Sequence, residues 1–287
     1  TFAQKGGSVD LDAFVNHIQT DQLPHSVLID CTSSEAIAAK YPEWLARGIH
    51  VITPNKKANS RDWKFYESLR SSGRKANSHY FYEATVGAGL PVITTLRDLI
   101  QTGDRVLQIE GVLSGTLSYL FNTYDGSRPF SAIVADAKQK GYTEPDPRDD
   151  LSGRDVARKL IIMAREIGLP LELAQISVES LVPPELQEGV SIEQFMARLP
   201  EFDSRMEALR LQAAQAKEVL RYVGVVRQDG PSAVELRRYP AAHAFARISG
   251  SDNIIAFRTA RYSTQPLIVQ GPGAGPEVTA GGVFADL

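Results

Sequence analysis

Acidic and basic side chains crowd residues 141–160, GYTEPDPRDDLSGRDVARKL, where a helix with one apolar face begins. Asp155 and Lys159 are four residues apart, so they lie one above the other near the edge of that apolar face. A lysine at the rim of a buried face is partly desolvated, which lowers its pKa towards the range useful for acid–base catalysis. A carboxylate one turn away would orient this lysine or bind a polar substrate.

Residue spacing alone does not exclude two simpler interpretations of this segment, and it favours them over a catalytic role. Ser152 followed three residues later by Asp155 fits a capping box, in which the acid only satisfies free amides at the helix start. Asp155 and Lys159 also fit an ordinary exposed pair, contributing about 0.3–0.5 kcal/mol. Further acids in the proline-stiffened loop would repel one another without a bound cation, which points weakly to a substrate carrying an ammonium group. They are Glu144, Asp146, Asp149 and Asp150.

Two short polar segments follow predicted parallel strands. TPNKKA, residues 53–58, places Lys56 just after the second strand, and CTSS, residues 31–34, places Thr32 and Ser33 just after the first. Ligands of such sheets bind outside the carboxyl ends of the strands, so these side chains are placed to meet a cofactor or a substrate. A solvated basic turn and simple helix capping by Ser33 or Ser34 are the alternative interpretations.

Two glycine-rich turns could approach a ligand closely. EATVGAGLP, residues 83–91, combines Glu83 with backbone carbonyls that glycine allows to converge, which suits a hard monovalent cation with oxygen ligands. A tight turn before a helix is the commoner explanation of such a stretch. GPGAG, residues 271–275, could lie against a dinucleotide, although a glycine-rich turn is weak evidence by itself.

The order of elements predicts an α/β fold with two parts. Helical spacing over 11–18, apolar runs over 26–30 and 49–53 and a helical 61–70 indicate half of a doubly wound nucleotide-binding sheet. Later strands over 79–85, 105–113, 220–226, 233–239, 254–262 and 266–270 alternate as in a largely antiparallel sheet with one wet face. We predict an incomplete dinucleotide-binding domain over 1–78, an α+β substrate and dimerisation domain with a mixed sheet over 79–270, and a return to the first domain over 271–287.

Composition excludes several classes of function. The 31 basic and 34 acidic residues give a net charge of −3, which argues against a nucleic-acid or membrane-surface binder. No run of eighteen apolar residues predicts a membrane span, and the opening residues do not fit a signal peptide. A single cysteine, Cys31, suits a reducing compartment, and the five histidines lack metal-site spacing. Because no GxGxxG turn precedes residue 26, we expect the chain to be part of a longer polypeptide.

Five motifs in this order resemble the homoserine dehydrogenase family: TPNKKA, EATVGAGLP, LSGTLSY, GYTEPDPRDDLSGRDVARK and GPGAGPEVTAGG. The resemblance covers almost the whole chain from residue 26, and the charged segment is its most specific part. The stretches SLVP, SGSDNIIAF and QPLIVQGPGAG are most similar to the dehydrogenase half of fused aspartate kinase–homoserine dehydrogenase enzymes. An upstream aspartate kinase domain is therefore an expected partner.

The resemblance implies NAD- or NADP-dependent interconversion of L-homoserine and L-aspartate 4-semialdehyde, on the route to threonine, isoleucine and methionine. It also implies a homodimer in the cytoplasm, or in the plastid if the source is a plant or an alga. The rival hypothesis is a non-catalytic dimerisation or regulatory fragment, because the family's phosphate loop would lie upstream of Thr1. The choice between NAD and NADP stays open, since the residue that selects between them would lie upstream as well.

The same resemblance assigns roles to individual residues. Lys159 would donate and accept the proton, with Lys56 near the nicotinamide and the substrate. Substrate-binding residues would be Glu144, Asp155 and Asp150, the first two holding the amine and hydroxyl of homoserine. Cofactor-binding residues would be Thr32, Ser33, Lys56, Gly141 and Gly275. A sodium-type cation would be bound by the side chain of Glu83 and the carbonyls of Val86, Ala88 and Leu90.

Overall fold

Two β-sheets organise the protein, whose computed structural model describes residues 10–19 and 25–287. A three-stranded parallel sheet has the order β1-β2-β3, and a six-stranded mixed sheet has the order β5-β7-β6-β4-β8-β9. This pairing of a parallel sheet with a largely antiparallel one confirms the predicted fold class. The strands are β1 Ser26–Ile29, β2 Ile49–Ile52, β3 Tyr80–Phe81, β4 Val106–Val112, β5 Ser177–Val178, β6 Glu218–Arg227, β7 Ala233–Pro240, β8 Asp252–Thr259 and β9 Leu267–Pro272.

Helices cover both sheets and connect their strands. In the described ranges they are α1 Leu11–Ile18, α2 Glu35–Ala38, α3 Tyr41–Ala46, α4 Trp63–Ala76, α5 Val92–Gln101, α6 Gly115–Thr123, α7 Phe130–Gln139, α8 Pro147–Leu151, α9 Arg154–Glu166, α10 Ile192–Arg198, α11 Asp203–Gln215 and α12 Pro276–Asp286. None of the helices in the part of the chain described here is long and apolar enough to cross a membrane.

The parallel sheet places the carboxyl ends of its strands at one edge. β1 and β2 pair from Ser26↔Ile49 to Ile29↔Ile52, and β3 pairs with β2 through Tyr80 and Phe81. The sheet therefore extends past residue 78, the boundary that we predicted for the first domain. The strand predicted over 79–85 is too long, because residues 83–85 form a 3₁₀ turn instead of continuing the ladder.

The mixed sheet is more deeply buried than its sequence pattern predicts. β6 is buried over seven consecutive residues, 220–226, so the expected single wet face is wrong for this strand. The face away from α9 is covered by a second apolar cluster, which includes Phe245 from a 3₁₀ turn and Ile248. On the other face α9 packs closely, since a Cβ on Gly224 would lie 2.7 Å from Cδ2 of Leu160. Contact with layers from distant parts of the chain thus removes the expected wet face.

The last helix, α12, packs back towards the parallel sheet. Val283 joins Ile52 of β2 and Ala84 in a small apolar cluster. The backbone N–H of Glu83 donates to Oδ2 of Asp286 over 2.8 Å. These contacts set α12 against β2 of the parallel sheet and against the turn over residues 83–91.

Candidate active site

The start of α9 is set by Gly153 rather than by a capping box. Gly153 is the residue before the helix and has φ of 71°, and a Cβ there would lie only 2.1 Å from Oη of Tyr222. The Asp155 carboxylate contacts lysines instead of free helix amides. Ser152 ends the preceding helix, α8, and its hydroxyl donates to the carbonyl of Asp149. The capping-box interpretation of Ser152 and Asp155 is therefore wrong.

Asp155 bridges two lysines, one from the loop after β2 of the parallel sheet and one from α9 itself. Its Oδ2 lies 2.9 Å from Nζ of Lys159, and its Oδ1 lies 3.4 Å from Nζ of Lys56. Desolvation raises the pKa of this carboxyl, but the attraction of Lys159 and Lys56 outweighs it and holds the pKa well below its ordinary value. Asp155 is therefore ionised wherever the two lysines carry their charges.

Lys159 is buried, so the interpretation as an ordinary exposed pair is also wrong. The residue is 8% exposed, and its ammonium donates to the carbonyl of Leu113 over 2.7 Å as well as pairing with Asp155. Leu113 directly follows β4, so the mixed sheet supplies one of the atoms that fix the lysine. A buried ammonium held by one carbonyl and one carboxylate has a defined direction, as a proton donor requires.

Lys56 reaches this site from the loop after β2. Burial lowers the pKa of its ammonium, and the neighbouring Asp155 opposes that shift. A cavity of about 330 Å³ opens beside it, between the edge of the parallel sheet and the start of α9. The cavity is lined by Thr32, Ser33, Pro54, Asn55, Lys56, Lys57, Asp155 and Arg158. The structure thus brings Thr32, Ser33 and Lys56 together with Asp155, as the edge rule for parallel sheets predicts.

Asp30, which we did not single out in the sequence, holds the two cavity loops together. Its Oδ1 accepts the N–H of Thr32 over 2.7 Å, and its Oδ2 accepts from Nδ2 of Asn55 over 3.1 Å. The hydroxyl of Tyr41 also donates to this carboxylate, and that of Thr53 donates to the Asp30 carbonyl over 2.8 Å. An acid at the very end of a predicted strand was the available signal, because a carboxylate that becomes buried there requires such partners.

The loop before α9 brings a second pair of acids close to Asp155. Oδ2 of Asp150 accepts the backbone N–H of Glu144 over 2.8 Å, while the Glu144 side chain is exposed. Burial raises the pKa of Asp150, the hydrogen bond from the backbone N–H of Glu144 lowers it, and the charges of Glu144 and Asp155 raise it again. Thr116, just after the start of α6, is a site residue that our sequence reasoning missed, although it belongs to the LSGTLSY motif.

Two other charged residues of this loop, Asp146 and Arg148, have partners within the protein. Arg148 closes on Asp146, with Nη2 lying 2.7 Å from Oδ2, and its Nη1 donates to the carbonyl of Val190 over 3.0 Å. This ion pair fixes the loop against the segment before α10. Asp146 and Arg148 thus shape the loop, whereas Glu144 and Asp150 lie outside the lining of the 330 Å³ cavity and their contact with a substrate remains a prediction.

The two glycines expected at the cofactor lie outside the lining of the 330 Å³ cavity. Gly141 follows α7 with φ of 73° and is exposed. Gly275 has φ of 127° and immediately precedes α12. The GPGAG turn does approach the active-site elements, because a Cβ on Gly115, at the start of α6, would lie 3.5 Å from Cβ of Ala274. Their contact with a cofactor remains a prediction.

The turn over residues 83–91 holds a buried carboxylate that already has partners. Glu83 accepts the N–H of Ile93 over 2.7 Å and that of Thr94 over 2.8 Å, at the first turn of α5. Leu90 accepts from Val92, and a Cβ on Gly282 would lie 2.7 Å from the carbonyl oxygen of Ala88. These oxygens keep unused lone pairs, so a monovalent cation fits their chemistry. Residues 10–19 and 25–287 contain no group of three or more His, Cys, Asp or Glu side chains that could hold a metal ion.

Comparison with known proteins places both parts of the chain in one family. A homoserine dehydrogenase profile matches residues 91–287, and the profile of the homoserine dehydrogenase NAD-binding domain matches residues 2–83. A chloroplastic bifunctional aspartokinase/homoserine dehydrogenase 2 from Arabidopsis thaliana is 58% identical over 99% of the chain. The chain spans 31% of the length of that relative.

A shorter relative and a solved structure agree with this assignment. Homoserine dehydrogenase from Schizosaccharomyces pombe is 46% identical, over 99% of this chain and 77% of its own length. A mutant hyperthermophilic archaeal homoserine dehydrogenase in complex with NADPH is 26% identical, with a TM-score of 0.69 over 91% of this chain and 69% of that one. The family profile and the identity to the S. pombe enzyme show that the chain belongs to the homoserine dehydrogenase family.

Proposed function

We propose that this chain carries the active site for the NAD- or NADP-dependent interconversion of L-homoserine and L-aspartate 4-semialdehyde. The observation that carries the proposal is the Asp155 carboxylate, which joins a buried lysine of one domain to a partly buried lysine of the other beside a cavity. A solvated surface turn would not form such a group, because its charges would stay in water. Burying charged groups is unfavourable unless each charge has a partner.

In the proposed reaction Lys159 acts as the acid and base. Negative charge develops on the aldehyde oxygen during reduction, and the Lys159 ammonium stabilises that charge and then donates a proton to the oxygen. Asp155 keeps the ammonium oriented throughout, and Lys56 adds a second positive charge on the other oxygen of the same carboxylate. In the reverse direction Lys159 accepts the hydroxyl proton of homoserine.

The substrate's own ammonium group is proposed to face Asp150 and Glu144. Asp150 has a raised pKa because it is buried near other acids, so an incoming cation would stabilise its ionised form. The Glu144 side chain, on the same loop as Asp150, is exposed, so its carboxylate can change rotamer to meet the substrate. The hydroxyl of Thr116 donates to the carbonyl of Tyr142 over 2.7 Å, which ties α6 to the loop that carries these two acids.

A nicotinamide cofactor, when bound, supplies or accepts the hydride. Thr32, Ser33 and Lys56 line the cavity and would hold it, with Gly141 and Gly275 as further proposed contacts. The archaeal mutant named above was solved with NADPH, which supports NADP as one of the two candidates.

We further propose a bound cation, two kinds of protein partner and a cellular location. A sodium-type cation would sit at Glu83 and the carbonyls of Val86, Ala88 and Leu90. The bifunctional Arabidopsis thaliana relative supports an attached aspartate kinase domain, and a homodimer is proposed through the domain over 79–270. The proposed location is the cytoplasm, or the plastid if the source is a plant or an alga; the Arabidopsis thaliana relative is chloroplastic.

The test is an assay of the full-length protein with several substrates. We expect NADPH to be oxidised with L-aspartate 4-semialdehyde much faster than with other aldehydes or with imino acids, and sodium chloride to support more activity than choline chloride. Fluorescence titration of the 287-residue chain with NADPH tests cofactor binding directly. No turnover by the full-length protein would remove the proposal, and no binding by the 287-residue chain alone would identify it as a non-catalytic piece of the enzyme.

A further inference from the structure

Arg165 is a buried arginine in the last turn of α9 that holds the chain of the first domain. Its side chain is fully buried, and its Nη1 donates to the carbonyl of Asn59 over 2.8 Å and to that of Arg61 over 2.6 Å. Its Nε and Nη2 donate to the carbonyl of Leu171 over 3.2 Å and 3.0 Å. The planar guanidinium thus spans two segments that are far apart in the chain.

Glu172 completes this contact. Its Oε2 lies 3.1 Å from Nη2 of Arg165, and its Oε1 accepts the backbone N–H of Trp63 over 2.7 Å. Trp63 is the first residue of α4, and the guanidinium carbon lies 5.8 Å from the centre of the Trp63 ring. We call Arg165 and Glu172 the arginine clamp, because together they fix both the turn before α4 and its first amide.

The clamped turn leads directly to Lys56. The backbone N–H and the hydroxyl of Ser60 both donate to the carbonyl of Lys56, over 3.0 Å and 2.9 Å. A displacement of Asn59 or Arg61 would therefore be transmitted to Lys56 through one compact turn. The ammonium of Lys56 meets Asp155 on α9 itself, so α9 contacts this loop at both of its ends.

We propose that Arg165 is a positioning residue for Lys56. The arginine clamp sets the distance between the loop that carries Lys56 and the helix that carries Asp155 and Lys159. This inference rests on the proposed function, since it assigns Lys56 to that reaction. Arg165 itself lies at the opposite end of α9 from Asp155 and acts through the loop.

The experiment compares two buried arginines in the full-length protein. Arg165→Lys keeps the positive charge but removes the forked donor group. Arg221→Lys is the matched control, because Arg221 is also buried and also donates to carbonyls, those of Phe245, Phe121, Leu220 and Ala246. We expect both variants to lower the urea midpoint, and only Arg165→Lys to lower kcat with L-homoserine and NADP, by about tenfold or more.

A double-mutant cycle separates positioning from general stability. In a Lys56→Met background, Arg165→Lys should cause no further loss of kcat, whereas independent effects would multiply. Full multiplication of the two effects, or an equal loss of kcat in Arg221→Lys, would overturn the proposal. If Arg165→Lys does not fold, Glu172→Gln removes half of the arginine clamp from a partly exposed position and takes its place in the cycle.

Hydrogen exchange gives a readout that does not depend on activity. Peptides covering residues 56–62 should exchange faster in Arg165→Lys than in wild type. Their exchange rate should be unchanged in Arg221→Lys. If the wild-type protein did not turn over homoserine, the proposed function would fail while this exchange experiment still tested the contact. Unchanged exchange over residues 56–62 in Arg165→Lys would contradict the positioning role.

Discussion

The two ends of α9 use charge in opposite ways. At its start, Asp155 is 44% exposed on its side chain and is shared between the ammonium groups of Lys159 and Lys56, next to a cavity. At its end, the side chains of Arg165 and Glu166 are 0% and 4% exposed. Glu166 accepts from Nε of Arg97 over 3.0 Å and from the hydroxyl of Tyr82. One helix thus carries an open charged group at the site and a closed one behind it.

This difference shows how a site with several charges stays in place. At the start of α9, the Asp155 carboxylate remains partly exposed beside the cavity although it holds both lysine ammonium groups. The charges at its end are fully paired and buried, where breaking one pair is strongly unfavourable because it leaves the other charge uncompensated. The rigid end therefore allows the reactive end to remain open to the cavity. Substitutions at the two ends should therefore differ in effect, on activity at the start of α9 and on stability at its end.

Lys159→Met tests the open end and should have the largest effect. Loss of the acid–base group is expected to lower kcat by about 10²–10⁴-fold, because proton transfer in the transition state contributes that much. Methionine fills the same buried space, so the circular dichroism spectrum and the urea midpoint should change little. Steady-state assays in both directions make the measurement. Activity close to wild type would show that Lys159 is only a structural partner of Leu113.

Glu166→Ala tests the closed end and should act on stability. It leaves Arg97 without its buried carboxylate and Tyr82 without its acceptor, so we expect the free energy of unfolding to fall by about 3 kcal/mol. Urea denaturation measures this. Glu201→Ala is the matched control, since Glu201 pairs with Arg198 on the surface and should change stability by less than about 1 kcal/mol. Equal effects of the two variants would remove the distinction between the ends.

Lys56→Met tests how the charge at the open end controls the protonation of Asp155. Lys56 is one of the two cations that lower the pKa of Asp155, so its removal should raise that pKa towards the ordinary value. Asp155 must be ionised to orient Lys159, so activity should be lost on the acid side at a higher pH than in wild type. The profile of kcat/KM against pH shows the shift. An unchanged acid limb would mean that Asp155 does not control it.

Ser152→Ala should have the smallest effect. The hydroxyl of Ser152 contacts the carbonyl of Asp149 and lies 3.4 Å from the N–H of Arg154, but it does not cap α9. We expect the free energy of unfolding to change by less than about 0.5 kcal/mol, as for a typical surface substitution. Thermal and urea denaturation both measure this. A loss of 1–2 kcal/mol would restore the capping role that spacing suggested.

Local periodicity predicted a good part of this arrangement. Helical spacing correctly paired Asp155 with Lys159, and the order of strands and helices predicted the parallel sheet and the second, mixed sheet. The wet face predicted for β6 failed because residues Phe245 and Ile248 cover that strand from further along the chain. The alternation of apolar and polar residues along a strand does not show whether another segment will cover it.

Contacts between residues far apart in the chain could not be predicted from the sequence. Arg165 has the spacing of a charge at the edge of an apolar face, which is typical of a solvated residue, yet its partners at Asn59 and Arg61 bury it. Asp30 stood at the end of a predicted strand, but its role depends on the TPNKKA loop folding next to CTSS, which the sequence pattern does not show. Lys56 was placed at the sheet edge by the strand rule, but its contact with Asp155 required the two domains to meet.

The anchoring of Lys159 by Leu113 has a consequence for the direction of proton transfer. A lysine ammonium carries three hydrogens, and the carbonyl of Leu113 and the carboxylate of Asp155 accept one each. One hydrogen is left, and the tetrahedral nitrogen fixes where it points. After giving that hydrogen away, the neutral amine still has two N–H groups for the same two acceptors. Lys159 can therefore lose and regain its proton without turning, so every turnover would present it from the same side.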